Sequence, residues 1–184
     1  MTRRDRRSRE KVEVLRLKQE GNVYVLEEPE DLVKELARRG IGTLCDNKLI
    51  LQPVEVAYLM TRHRVFVNND ELTLDKVLQG IDNFLKFVVY QDLRKRGYDV
   101  RLAGPESPLD LLVWDKGKRA SEAPPRYGLK IVTEGLGIKV VDLSYLLKYC
   151  ESMGLQLVLA LISNDGVVTY YKVFSLRAEK IVSS

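Results

Sequence analysis

Asp110 and Lys130 come nearest in this chain to the side chains of a metal-dependent phosphodiesterase, which needs an acid on one strand and an acid-x-Lys on the next. The metal takes its oxygens from more than one carboxylate, and the lysine then steadies the attacking water or the transition-state charge. Here the second element reads Gly128-Leu129-Lys130, so the acid is missing and Asp110 reads as a residue that starts a strand. Metal-free cleavage of RNA asks instead for a base at the 2′-hydroxyl, an acid at the leaving 5′-oxygen and a cation beside the transition state. Tyr127, Arg126, Lys130 and Lys148 are the ionisable candidates, and a site built from them needs an acid other than histidine. The one histidine, His63, lies between Arg62 and Arg64 and reads as a surface residue at a helix end. Cys45 and Cys150 form no CxxC or Cys/His cluster, so neither a metal nor any other cofactor is expected.

These groups need a scaffold, and the apolar pattern supplies one in two parts. Alternation from Val12 to Leu17, slipping by one residue as at a bulge, leads through Gly21-Asn22 into Val23-Tyr24-Val25-Leu26, a hairpin pattern. Pro29 suits the first turn of a helix carrying Leu32, Val33, Leu36 and Ala37 and stopped by Gly40. A second unit follows, with Leu49-Ile50-Leu51, a helix opened by Pro53, and a short strand Val65-Phe66-Val67 broken by Asn68-Asn69-Asp70. The stretch from Leu72 to Gly80 reads as a connection, which places a boundary near Gly80.

Beyond it, Leu85, Val88, Val89 and Leu93 fall on one face of a helix from Asn83 to Arg96, and Arg94-Lys95-Arg96-Gly97 suits its C-terminal end. Strands are expected at Tyr98 to Leu102, Leu109 to Trp114 and Tyr127 to Val132, then a helix from Asp142 to Met153. The almost continuous apolar run Leu155 to Ile162 reads as a central strand. Ser163-Asn164-Asp165-Gly166 turns the chain into a last strand from Val167 to Phe174. The division expected is a basic tail over 1–11, an N-terminal α/β domain over 12–80 and a C-terminal domain with a mixed sheet flanked by helices over 81–184; the fold class is α/β of the mixed α+β kind.

A chain of 184 residues with 45% hydrophobic content can bury one substantial core or two small ones. No apolar run approaches the ~20 residues that span a bilayer, and the first residues lack a secretory segment, so a cytoplasmic protein with no membrane partner is expected. The net charge of +4 is mild, but Arg3, Arg4, Arg6, Arg7 and Arg9 crowd the start. Such a block is either an arm that binds RNA phosphates or a solubilising tail.

Three blocks carry a family likeness. Leu51-Gln52-Pro53-Val54-Glu55-Val56-Ala57-Tyr58-Leu59, the run Tyr90-Gln91-Asp92-Leu93-Arg94-Lys95-Arg96-Gly97-Tyr98-Asp99-Val100, and Asn164-Asp165-Gly166 through Tyr170-Tyr171 resemble, in order and spacing, the archaeal tRNA-splicing endonucleases. The resemblance implies a C-terminal domain of the restriction-endonuclease type. It also implies a catalytic Tyr, His and Lys, and at the matching positions this chain holds Trp114, Pro124 and Leu155, none of which moves a proton at neutral pH.

That departure leads to the expectation of a structural subunit, not an enzyme on its own, which joins a catalytic paralogue in an α2β2 heterotetramer. The complex would cut precursor tRNA at bulge-helix-bulge junctions and leave 2′,3′-cyclic phosphate and 5′-hydroxyl ends. By the same resemblance Asn164, Asp165 and Gly166 form a loop that docks in a basic cleft of the partner, although one carboxylate makes it less acidic than the family loop, and an ordinary hairpin turn accounts for the same residues. Tyr170 and Tyr171 point to opposite faces, one to the core and one to a partner. Two other functions fit the residues: a free-standing RNA-binding module, and an active ribonuclease with relocated groups.

Overall fold

The computed structural model describes residues 14–174, so the arginines at positions 3, 4, 6 and 7 lie outside the described residues. The class is mixed α+β, with two mixed sheets and five helices among the described residues. The first sheet contains β1 (Val14–Glu20), β2 (Val23–Leu26), β3 (Thr43–Cys45), β4 (Lys48–Leu51), β5 (Arg64–Val67) and β6 (Asp70–Glu71), in the order β3-β4-β2-β1-β5-β6. Leu15 and Leu17 point inward from β1, which runs parallel to β5 without a break in register over its first four described residues. Two of its hairpins turn on residue pairs with positive φ, Asp46-Asn47 and Asn68-Asn69, the twist that matches paired strands. β3 was not expected. All three of its residues are exposed, so it leaves no alternating pattern in the sequence.

Helices α1 (Glu30–Arg38) and α2 (Pro53–Met60) pack on this sheet. Pro29 caps α1 from outside its first turn, whereas Pro53 opens α2 from within. The segment expected as a plain connection, Leu72 to Gly80, carries the short helix α3 (Leu74–Val77), and β6 just before it was not expected either.

The second sheet contains β7 (Val100–Leu102), β8 (Leu111–Val113), β9 (Tyr127–Thr133), β10 (Gln156–Ile162) and β11 (Val168–Lys172), in the order β11-β10-β9-β8-β7. Only β9 and β10 run parallel, joined through α5 (Val140–Ser152). The long helix α4 (Ile81–Lys95) lies between the two halves. Its end is sharp because Gly97 adopts a φ of +87° and the N–H groups of Gly97 and Tyr98 bond back to Arg94 and Leu93. Val89 and Tyr90 are fully buried, and the Tyr90 ring meets Tyr58 of α2 edge-on at 5.5 Å. One buried cluster runs from Leu15 in the first sheet to Ile162 in the second. A smaller one, built on Leu109, Leu146, Cys150 and Leu157, fills the space under α5. Among the described residues no helix is long and apolar enough to cross a membrane.

Among the described residues Glu55 is the one charged residue of the buried set, and its carboxylate accepts the backbone N–H of Gly42 at 2.8 Å and of Gln52 at 2.9 Å. Burial raises its pKa above the ordinary 4.5, and the two N–H bonds offset only part of that rise. The folded chain therefore holds this proton more tightly than the unfolded chain. Its stabilisation is complete below pH 4.5 and is lost as pH rises through the raised folded value. Between pH 4.5 and neutrality, wild-type stability is expected to fall relative to that of Glu55→Gln, measured by urea midpoints. Parallel pH profiles would show that Glu55 does not titrate in this way. On the surface Glu27 works with the opposite sign: hydrogen bonds from Lys18 and Lys48 bring it down to about 2, so its contribution is lost as pH falls from 4.5 toward that value.

Candidate functional site

The three positions where proton-transfer groups were sought lie near one end of the second sheet. Trp114 follows β8 with 4% of its surface exposed, and its indole Nε1–H donates to the Ala123 carbonyl at 2.6 Å. The ring thus pins the 115–126 loop. The Arg101 guanidinium carbon stands 5.9 Å from the ring. Pro124 is exposed in that loop. Leu155 turns into the cluster under α5, where its Cδ1 lies 3.3 Å from the place a Cβ on Gly128 would occupy. All three side chains pack, pin or cover, and none carries an ionisable proton.

On the opposite face of the same sheet lies a small slot of about 200 Å³ with Val113, Leu129 and Val158 in its floor. Tyr98, Tyr127 and Tyr170 wall it, and Arg96 and Lys172 reach over it. The Tyr127 hydroxyl donates to Asp115 at 3.0 Å, and burial together with that carboxylate raises its pKa, which keeps the phenol protonated at neutral pH. The Tyr170 hydroxyl donates to Asp92 at 2.7 Å, and its pKa is likewise raised, chiefly by burial. Lys130 and Lys148 are not gathered with Tyr127. Lys130 pairs with Asp110 at 3.2 Å, Lys148 is exposed on α5, and Arg126 is exposed just before β9. Asp110 also takes Lys86 at 3.7 Å and the Ile131 N–H at 2.8 Å. Its oxygens are thereby engaged, and among the described residues no group of three His, Cys, Asp or Glu side chains could hold a metal.

A second concavity, about 480 Å³, opens between the two halves. Arg39, Arg62 and His63 line it from the first half and Arg94, Lys118 and Arg119 from the second. Arg94 pairs with Asp99 at 2.6 Å and Arg39 with Glu35, and with Arg62, Lys118 and Arg119 also in its lining the cleft is basic.

The Asn164-Asp165-Gly166 loop is tied down at its base. Ser163 donates its hydroxyl to Asp165 and accepts the Val167 N–H at 3.1 Å, and Gly166 takes a φ of +82°. The Ser163 hydroxyl and the Val167 amide hold the Asp165 carboxyl below its ordinary pKa. Glu134 accepts the Asn164 N–H at 2.9 Å, so a second carboxylate stands at the loop from a residue 30 positions earlier. Sequence reasoning did not find Glu134, Asp92, Asp115, Arg96 or Lys172; proximity to a turn or an aromatic residue across the sheet was the missing signal. Tyr170 is half-buried toward α4, and Tyr171 is 53% exposed on the other side of the edge strand.

Comparison with known proteins adds to this geometry. The sequence model described as tRNA intron endonuclease, catalytic C-terminal domain, matches residues 83–170. A tRNA-splicing endonuclease of Pyrococcus furiosus is 31% identical over 157 residues, covering 81% of this chain and 89% of that protein. One from Methanococcus vannielii is 27% identical over 155 residues, covering 80% and 86%. These findings correct the expectation that the chain is not an enzyme on its own: the matched domain is the catalytic one and the relatives carry an endonuclease's name, so both point to an enzyme. The inference from Trp114, Pro124 and Leu155 weighs three side chains, whereas the likeness extends over most of the chain.

Proposed function

Because the chain belongs to the tRNA-splicing endonuclease family, with a role in tRNA intron cleavage, we propose that it works as one of two kinds of subunit in an α2β2 RNA endonuclease acting on bulge-helix-bulge junctions of precursor tRNA. The products are 2′,3′-cyclic phosphate and 5′-hydroxyl ends. The observation that carries the two-subunit reading is the packing of Trp114, Pro124 and Leu155. A scaffold matching the catalytic domain holds a pinned indole, a loop proline and a core leucine at the positions of base, acid and cation, which favours pairing with a paralogue that bears the family's Tyr, His and Lys.

In this assembly Asp165 and Glu134 present two carboxylates at one loop, which suits docking into a basic cleft of the paralogue. Tyr171, exposed on the edge strand β11, joins the contact between paired closing strands. Precursor tRNA with an intron is incubated with this chain, with the paralogue and with both. Cutting is expected in the mixture, and Tyr171→Ala is expected to weaken co-elution with the paralogue. Full cutting by the paralogue alone would overturn the assembly. Cutting by this chain alone would place the reaction in this chain and make Tyr127, Asp115 and Lys172 the groups to replace next.

A further inference from the structure

The slot on the α4 face of the second sheet is built more rigidly than an incidental surface hollow. Tyr170 and Tyr127 each have their hydroxyl fixed by a carboxylate, Asp92 at 2.7 Å and Asp115 at 3.0 Å, so neither ring is free to swing. Each also carries a cation at its ring: the Arg96 guanidinium carbon lies 5.6 Å from the Tyr170 centroid and the Lys172 Nζ 5.3 Å from that of Tyr127. Arg96 spends its Nε on Asp92 at 2.7 Å, which leaves its terminal nitrogens as donors, and Lys172 makes no ion pair among the described residues. Arg96, Arg126 and Lys172 exceed Asp92 and Asp115 by one positive charge around this end of the sheet.

These features select among occupants. Tyrosines around a small opening could receive an alkylated ammonium, but here the protein's own cations already stand at the rings and would repel another. A flat, uncharged ring joined to an anion meets both demands: the ring packs among the tyrosines and the anion reaches Arg96 and Lys172. At about 200 Å³ the space is below the roughly 300–1,000 Å³ of whole-ligand pockets, so it takes one ring and not an intact dinucleotide.

We propose that this slot holds one unpaired nucleotide of single-stranded RNA, its base among Tyr98, Tyr127 and Tyr170 and its phosphate at Arg96 and Lys172. It lies on the sheet face opposite Leu155, so it grips RNA across the sheet from that position. The inference rests on the reading of precursor tRNA as substrate.

The test uses the full chain and fluorescein-labelled hexauridylate, followed by anisotropy across a salt series. Tyr127→Ala is expected to weaken binding about tenfold, with Tyr127→Phe close to wild type because stacking survives loss of the hydroxyl. Lys172→Ala, on the exposed edge strand, is expected to lower the salt slope by about one. The same ratios are expected when Arg3, Arg4, Arg6 and Arg7 are all changed to Ala, which removes the basic start as the source of affinity. Unchanged hexamer affinity in both Tyr127→Ala and Lys172→Ala would overturn the slot, as would a 4-thiouridine cross-link that maps to the Arg39 and Arg62 cleft. The functional reading fails separately: slot-dependent binding with no cleavage in the mixture overturns only the reaction, and cleavage with slot-independent binding overturns only the slot.

Discussion

Arg94→Met is expected to destabilise the protein by about 3–5 kcal/mol, the cost of breaking a buried ion pair from one side. Its side chain is 7% exposed. The guanidinium donates to the Arg39 and Gly40 carbonyls at 2.8 and 2.5 Å, to the Val100 carbonyl at 2.8 Å, to Asp99 at 2.6 Å and to the Tyr90 hydroxyl at 3.1 Å. One side chain of α4 thus joins the end of α1 to the first strand of the second sheet. Methionine would fill much of the volume but leave the Asp99 carboxylate, 10% exposed, without its cation and several carbonyls without a donor. Asp99 would keep only the Ala120 N–H at 2.9 Å. Arg96→Met, two residues on, removes an exposed pair with Asp92 and is expected to cost less than about 1 kcal/mol. Urea unfolding of both variants checks the contrast, and an Arg94→Met loss no larger than that of Arg96→Met would end the claim that this guanidinium joins the halves.

Gly128→Ala is expected to cost about 1–3 kcal/mol, the range for overpacking a filled core. A Cβ there would stand 2.6 Å from Leu109 Cδ1, 2.9 Å from Cys150 Sγ and 3.3 Å from Leu155 Cδ1. The leucine tips can shift a little, but the Cys150 sulfur sits on a short side chain that is fully buried. Burial also pushes that thiol up to about 11, so it stays protonated and acts as a small apolar group. The double variant Gly128→Ala, Cys150→Ala should therefore lose less than the sum of the two single changes, because each relieves the other. Additive losses in thermal or urea unfolding would mean that the new methyl is accommodated elsewhere. The same contact explains why Leu155 belongs to the core: the bare backbone of Gly128 opens the space that its side chain helps to fill.

Much of the fold was legible because its signals are local. Gly21-Asn22 and Asn164-Asp165-Gly166 turn the chain where expected, since tight turns depend on which few residues tolerate a positive φ, whereas Asn68-Asn69, read as a strand break, turns a short hairpin. Helix α4 was expected from Asn83 and runs from Ile81, with its stop at Gly97. Its buried face was read too narrowly. Of the expected stripe Val89 and Leu93 are buried and Leu85 and Val88 half-buried, whereas Phe87 and Tyr90 are buried too because the helix is covered on two sides.

Sequence by itself determined the order of strands and helices apart from β3, β6 and α3, the first and last hairpins and the likeness to an RNA-processing family, all carried by residues close together along the chain. Tertiary structure alone decided which charges are buried and which rings meet. Arg94 and Arg96 read alike as charges at a helix end, yet one is enclosed by backbone from residues 39, 40 and 100 and the other stays in water. The tyrosine slot draws on residues 96 to 172, and the second loop carboxylate comes from Glu134. Burial and cross-strand proximity are set by how layers stack, and that stacking depends on the whole core at once, which no window of neighbouring residues contains.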